Sequence, residues 1–546
     1  MFLKQNKFFI FLFIILAIIP ILSLFHAGFP ITHDGQDHVA RIANFYQNLA
    51  QGVLIPRWAA NLNWGYGHPI LEFLYPLPSY IASVFHFVGF SFVDSTKLVF
   101  ITGEVLSLLF MYLFLSKFLD KYSSLFGAML YSLAPYRMID LYVRGDIGEH
   151  LAFAFIPLSL YFIYKVSVEK DYRNVIFGGV SIAFLILAHN AISLMAMPFV
   201  LFYSVFLTYI NKDKKALIVK FFFLILLGFS LSTFFWVPAL VEGKYTLRNL
   251  LTTGFGTNFT NLGALFYGPW NYGISGQFTV QLGVLQWIVF FLSFPMVFLL
   301  FKKKKKEYIL ISGLIIYTLT AIFLMLPVSS FVWSKIMLLQ NFQFPWRFLA
   351  ITVFSTAVLG SYLFSYIPKK YKIAVFVVCI FLVLIMQKDY FKPKAYQYKP
   401  ESFYAGIYRS TTDTGESSPV WSVRFMEHTF VSPAQIVEGE GNIKEIAHKT
   451  VYRKYELNSS SGVRVLLNIL YFPNWTIYVD GSKVPIQFQD PRYRGLMTFM
   501  TTGGKHVVEA RFKETNLRNF ADGVSLLSIV FVAGFGLFGF VKRRFY

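Results

Sequence analysis

FFIFLFIILAIIPILSL, residues Phe8 to Leu24, is the run that decides how this chain is read: seventeen residues without a charge, close to the roughly 20 a helix needs to cross the hydrocarbon core of a bilayer. Lys4 and Lys7 precede it, and no small-residue cleavage site follows, so it reads as a retained membrane span rather than a removed signal. Just beyond its end comes His33-Asp34-Gly35-Gln36-Asp37-His38, with two carboxylates and two imidazoles.

Working outward, about eleven further apolar runs follow, giving about 12 transmembrane helices. They include Leu98 to Leu115, Ser123 to Tyr136, Leu151 to Val166, Val175 to Ala188, Ile192 to Ile210, Leu217 to Leu240, Phe348 to Ile367, Ile373 to Met386 and Val524 to Phe540. The whole chain agrees: of 546 residues, 56% are hydrophobic and only 14% charged, which excludes an ordinary soluble enzyme. The net charge of +21 would suggest nucleic acid in a soluble chain, but its placement points elsewhere. With the N-terminus in the cytoplasm, 22 of the 49 Lys and Arg fall in short inner segments, as the positive-inside rule requires, and the C-terminus is cytoplasmic too. The run Lys302 to Lys306 is then a topology anchor, and no nucleic-acid partner is expected. The single cysteine, Cys379, excludes an internal disulfide and a thiolate zinc site.

Pro69, Pro76, Pro78, Glu72 and His86 make Pro69 to Phe92 an interfacial or re-entrant segment rather than a span, which leaves residues 27–96 as one large outer loop. Residues 1–387 thus form the transmembrane domain. Residues 388–521 lose the membrane composition and alternate in the strand period at Val463, Val465 and Leu467 and from Thr476 to Val479. Asp480-Gly481 reads as a hairpin turn, and Gly503-Gly504 as another. A small extracytoplasmic β-sandwich is expected here, followed by the last helix and basic tail in 522–546.

Eight of the 14 acids before Lys388 lie on the outer side, with Arg41, Arg57, Arg137, Arg144 and Arg347, while only Glu104 lies within a span. That argues for chemistry at the outer interface rather than an ion pathway. Asp34 and Asp37 can act as a general base or as part of a divalent-metal site, or Asp34 can simply cap the following helix. Asp37 and Arg41 fall one helical turn apart, with His38 between them. In Tyr136 to His150, Arg137, Asp140, Arg144, Asp146 and Glu149 alternate in charge; an arginine fork suits phosphate and carboxylates suit sugar hydroxyls, although the same residues can form a self-neutralising network. His189 ends one helix at the outer face and Arg347 begins another.

The first outer loop, with Asp34, Arg41, Gly52-Val53-Leu54-Ile55-Pro56-Arg57-Trp58 and Tyr75-Pro76-Leu77-Pro78, resembles that of integral-membrane glycosyltransferases of the GT-C superfamily. Tyr136 to Glu149, Ala188-His189-Asn190 and Phe344-Pro345-Trp346-Arg347 resemble a prokaryotic membrane family labelled 6-pyruvoyl-tetrahydropterin-synthase-related, although no histidine triad of the zinc type supports pterin chemistry. Tyr471 to Gly481 and Gly503 to Val508 are similar to the terminal domain of membrane proteins that glycosylate lipoteichoic acid.

The resemblance implies transfer of a sugar from a polyprenyl-phosphate donor to a glycan, lipid or protein acceptor of the cell envelope, on the outer face. Asp34 would be the base with Asp37 second. Arg137, Arg144 and Arg347 would hold the leaving phosphate with His189, and His38, Arg41, Arg57, Asp140, Asp146 and Glu149 would complete the binding site. A divalent cation, Mg or Mn, is compatible with this set. Two other classes fit the composition. A lipid-linked-glycan transporter would need a polar path at mid-depth, which is almost absent; a non-catalytic envelope assembly protein would tolerate Asp34→Asn.

Overall fold

The computed structural model describes residues 7–251, 256, 258–273 and 278–545; Lys4 lies outside them. Among the described residues, eight helices are long and apolar enough to cross a membrane, or up to nine if one bent pair counts as a span. The sequence suggests about twelve, and the difference has specific causes. The helix expected over Ser123 to Tyr136 is Lys121–Ser132, only 12 residues long. Arg173–Ala188 has 16 residues, and Lys369–Met386 opens with three lysines in its first turn. The run Leu217 to Leu240 is not one straight helix: Lys214–Leu231 and Thr233–Tyr245 meet at an angle of 69°.

Some segments expected on the same side meet one another, as where Lys372 pairs with Asp120 and Asn211 donates to the Ser167 carbonyl at 2.9 Å. The Pro69 to Phe92 stretch forms two short helices, Ile70–Phe73 and Leu77–Phe87, as expected of a segment that does not span.

Ten strands follow the chain as β1 (Phe29–Pro30), β2 (Tyr396–Gln397), β3 (Ala434–Glu438), β4 (Gly441–Lys449), β5 (Tyr452–Ser459), β6 (Val463–Leu470), β7 (Trp475–Val479), β8 (Ser482–Val484), β9 (Leu496–Thr501) and β10 (Gly504–Phe512). The C-terminal part has two antiparallel sheets, β4-β5-β10-β7-β8 and β3-β6-β9, sharing an apolar core that includes Tyr455, Leu457, Val465, Ile477, Phe499 and Val508. Asp480 and Gly481, at φ 48° and 82°, make the expected two-residue turn between β7 and β8, because a primed turn needs positive φ at both positions. Gly503-Gly504 does not make a hairpin. It carries the chain from β9 in one sheet to β10 in the other, and a Cβ on Gly503 would sit 2.8 Å from the Ser461 Cα, so close backbone passage is what requires glycine there.

The two parts are bound together. β1 pairs with β2, Trp58 packs edge-on against Trp475 at 5.5 Å, and the irregular segment before β3 bonds to the first outer loop through Asn63 N–H to Ser410 O at 2.8 Å and Trp64 N–H to Tyr408 O at 3.0 Å. The last helix starts at Asn516, before the expected boundary at 522. Its first turns pair Arg518 with Glu72 and Glu242, and Asp522 with Arg57.

Candidate functional site

Three long helices, Ile147–Val168, Asn190–Ile210 and Pro345–Ser365, begin at one end of the body. Each start carries a polar side chain that the helix terminus uses or leaves free. Asp146 caps the first by accepting the Glu149 N–H at 3.0 Å. His189 caps the second: its Nδ1 accepts the Ile192 N–H at 3.2 Å, which leaves the proton on Nε2, turned toward Asp146 Oδ2 at 3.8 Å. Arg347 lies in the first turn of the third.

The chain before Asp146 makes a π-helical turn, Asp140–Arg144, a wide geometry that recurs at functional positions. It turns Arg144 inward, where the guanidinium pairs with Asp140, with Asp146 at 2.7 Å and with Glu149 at 2.7 Å, and lies 4.8 Å from the Trp346 ring. The second oxygens of Glu149 and Asp146 are bonded too, Tyr136 donating to Glu149 at 2.6 Å and Tyr75 to Asp146 at 3.0 Å, while the Asp140 Oδ2 is buried without a hydrogen bond. Arg347 Nε lies 3.2 Å from Glu149 and its Nη1 donates to the Phe342 carbonyl at 3.1 Å, while Nη2 reaches Asp146 only at 3.7 Å.

Against this arginine loop lies the polar hexad. His33 N–H donates to the Val143 carbonyl at 2.9 Å and Asp34 N–H to the Arg144 carbonyl at 2.8 Å. Gly145, at φ +71°, makes the approach possible, since a Cβ there would come within 2.3 Å of Thr32 Oγ1. Asp34 occupies the N-cap position of the helix Gly35–Ala50, but its side chain makes no cap bond; Thr32 Oγ1 accepts the Gly35 N–H instead, at 3.1 Å. Among the described residues the Asp34 carboxylate has neither a hydrogen bond nor an ion pair, and its side chain is exposed.

Arg41 does not pair with Asp37, as the one-turn spacing suggests. Its buried guanidinium donates Nε to Thr412 Oγ1 at 2.9 Å and approaches His38 Nδ1 at 3.2 Å, with no carboxylate of the described residues within 4.0 Å. Burial and Arg41 depress the pKa of His38, so it is neutral. Asp37 accepts a bond from the Tyr408 hydroxyl at 2.8 Å, and burial raises its pKa. Asp413 completes this side, accepting Gly415 and Ser417 N–H bonds at 2.9 and 3.0 Å.

Nine of the expected residues therefore lie in one region, Asp34, Asp37, His38, Arg41, Asp140, Arg144, Asp146, Glu149 and His189, and Arg347 joins them. Two do not. Arg137, expected beside Asp140, is fully buried against the intramembrane Glu104, with further bonds to Ser107 Oγ at 2.7 Å and the His150 carbonyl at 3.1 Å. A carboxylate inside a span needs a cation, and Arg137 is within its reach. Arg57 bonds Asp522 at 2.6 Å and Glu514 at 2.8 Å, tying the first loop to the last helix. Sequence reasoning missed Tyr408, Thr412 and Asp413, whose only local signal is the hydroxyl-rich run Ser410 to Ser418.

Asp146, Glu149 and His189 place ligand atoms within 4.8 Å of one another, the one such group among the described residues. They do not fit a resident Mg or Mn as arranged. Arg144 and Arg347 already neutralise both carboxylates, and hard divalent cations need oxygen lone pairs that Tyr75, Tyr136 and the Glu149 N–H occupy here.

Residues 71–392 match the family described as 6-pyruvoyl-tetrahydropterin synthase related domain, a membrane-protein family. The chain belongs to this family. Its members' label names pterin chemistry, and no cluster of three histidines stands among the described residues to support it. An uncharacterized protein of Lactococcus lactis subsp. cremoris is 27% identical over 61% of this chain, and the chain spans only 55% of that relative's length. Solved structures with partial likeness include the oligosaccharyltransferase of Archaeoglobus fulgidus in its apo form, at TM-score 0.47 and 13% identity over 76% of this chain and 61% of that one. ArnT of Cupriavidus metallidurans bound to undecaprenyl phosphate gives TM-score 0.41 and 11% identity over 73% and 68%.

Proposed function

We propose that this family member is a membrane glycosyltransferase that moves a sugar from a polyprenyl-phosphate donor to a glycan, lipid or protein acceptor on the outer face of the cell membrane. The observation that carries the reading is the Asp34 carboxylate: accessible, bonded to nothing and joined through its backbone to the arginine loop. A general base needs free lone pairs within reach of the acceptor hydroxyl, and Asp34 has them where Asp37 is held by Tyr408.

In the reaction, an acceptor hydroxyl gives its proton to Asp34 while its oxygen bonds the anomeric carbon. The bond from that carbon to the phosphate oxygen breaks, the electron pair leaves with the polyprenyl phosphate, and one displacement inverts the anomeric centre. The clamp for the departing charge is best supplied by Arg41, buried without a carboxylate partner, and by Arg347, whose Nη2 is free of hydrogen bonds. An unpaired buried guanidinium is unfavourable until an anion meets it. Arg144, committed to three carboxylates, positions the loop rather than the phosphate. His189 serves as a neutral Nε2–H donor. The apolar faces of the helices that bear Glu149, His189 and Arg347 would hold the lipid tail, whose burial would supply remote binding energy to position the reacting end. The β-rich domain would orient the acceptor.

The test is transfer from radiolabelled polyprenyl-phosphate sugars by purified protein in lipid. Asp34→Asn should lower turnover by roughly 10²- to 10⁴-fold at unchanged thermal stability, because its carboxylate bonds nothing in the fold. Asp37→Asn should have the smaller effect. Unaltered turnover in both variants would remove the basis for the assignment.

A further inference from the structure

Beside the site, on the far side of Pro135 and Tyr136, lies a second recess between the start of the helix Val284–Lys302 and the end of Lys369–Met386. Its free space is about 30 Å³, room for a hydroxyl or a water rather than for a whole ligand. Its polar groups are Gln281, Gln286, Gln387 and the phenols of Tyr267 and Tyr390, and no charged residue lines it.

Gln281, Gln286 and Gln387 are each more than nine-tenths buried. Gln281 is satisfied: it donates to the Tyr390 hydroxyl and accepts from the Gly268 N–H at 3.4 Å. Gln286 is not. Its Nε2 donates to the Leu130 carbonyl at 3.4 Å, which fixes the orientation of the amide and turns Oε1 the other way, with no donor among the described residues. Turning the amide over would set two carbonyl oxygens against each other. Gly283, at φ +108°, makes room for that oxygen, since a Cβ there would lie 2.3 Å from it. The Gln387 Oε1 is likewise buried and unbonded. Burying an acceptor without a donor is unfavourable by about 1–3 kcal/mol, and here two such acceptors line one opening.

The mouth is largely apolar: Val284, Met386 and Tyr267 line it with 37%, 46% and 67% exposure, Val284 at the start of a helix long and apolar enough to span, Met386 at the end of Lys369–Met386 and Tyr267 just after the short helix Leu262–Phe266. A ligand for this recess therefore brings a hydroxyl donor, no charge and an apolar body lying along the helices. We propose that the recess binds the hydroxyl end of a neutral membrane lipid of the diacylglycerol type. Pro135 lines it, and the neighbouring Tyr136 bonds Glu149, so its place in the reaction, resting on the transferase reading above, is that of a lipid acceptor subsite.

The test uses full-length protein in lipid nanodiscs and dioleoylglycerol carrying a photoreactive diazirine in one acyl chain. Capture should map to peptides 281–287 or 383–390, be blocked by unlabelled dioleoylglycerol and not by free glycerol, and fall about tenfold for the O-methyl ether, which has no donor. Gln286→Leu and Gln387→Leu should each weaken capture by a similar factor. Their melting temperatures should hold or rise, because replacing an unbonded buried acceptor with an apolar group removes a penalty. Equal capture of the methyl ether, or unchanged capture by both variants, would show a recess holding water only, and competition by glycerol would overturn the lipid assignment. Asp34→Asn separates the two proposals: it should capture the lipid as the wild type does while its transfer falls by roughly 10²- to 10⁴-fold. Capture with transfer intact in Asp34→Asn refutes the catalytic reading and leaves lipid binding standing.

Discussion

Replacing Gly145 by alanine tests whether the two loops must touch. At φ +71° an alanine is strained by about 1–2 kcal/mol on backbone grounds alone. Its Cβ would also lie 2.3 Å from Thr32 Oγ1 and 2.9 Å from the Gly35 nitrogen. Restoring an ordinary contact distance of at least 3.4 Å requires the loops to separate by about 1 Å, and the bonds from His33 and Asp34 to the Val143 and Arg144 carbonyls span the gap that opens. A displacement of that size at a reacting group can lower turnover about 10²-fold. Gly52→Ala is the matched control, because Gly52 has φ +85° and nothing within 4 Å of its Cβ position. Gly52→Ala should therefore lose only the backbone term and keep its transfer rate, whereas Gly145→Ala should melt lower than that and transfer about 10²-fold more slowly. Adding Thr32→Gly to Gly145→Ala should recover part of the rate but not all, since the Gly35 nitrogen remains in the way. Thermal unfolding and transfer on the same preparations decide it: equal rates for Gly145→Ala and Gly52→Ala would refute the idea that this contact sets the position of Asp34.

Two further outcomes follow from groups now placed. Arg137→Leu alone leaves the Glu104 carboxylate buried without its cation and should destabilise by about 3–5 kcal/mol, while Arg137→Leu with Glu104→Leu should recover most of the loss; a single variant that transfers poorly yet melts normally would return Arg137 to the substrate site. Burial, aided by Arg347 and Arg144 and opposed by Asp146, brings the His189 pKa down to about 4 from an ordinary 6.5. The unfolded chain therefore takes up a proton that the fold refuses as pH falls from 6.5 toward 4, so stability declines across that window, by about 3 kcal/mol from this group. His189→Asn should flatten the melting profile between pH 7 and 4, and parallel profiles would contradict the assignment.

The sequence was most legible where one element decides the outcome. The charge-free run Phe8 to Leu24, the Asp480-Gly481 turn and the strand from Val463 each need only local rules, and each forms, although the strand is buried on both faces rather than alternately. Spacing misled where partners lie far apart in the chain. Arg137 with Asp140, and Asp37 with Arg41, are one turn apart, yet a buried Glu104 outbids Asp140 for the first arginine, and Thr412 takes Nε of the second. The span count differs where helices are short or bent, because hydropathy registers composition and is blind to the break at Ser232.

The largest illegible feature is the contribution of residues 404–418 to the site. Tyr408 reaches Asp37 and Thr412 reaches Arg41 across more than 370 residues of chain, from a stretch without periodicity. Composition places the domain boundary at 388, but the chemistry does not respect it. The same loop that carries Asp34, Arg41 and Arg57 is held at Ser410 and Tyr408 by the linker, at Trp475 by the β-rich part and at Asp522 by the last helix. Without the linker, Asp37 would lose its Tyr408 bond and Arg41 would keep only His38 as a neighbour. Asp37 and Arg41 in the proposed site are therefore held by residues on both sides of the expected boundary at 388, while Asp34 is positioned by the membrane half alone.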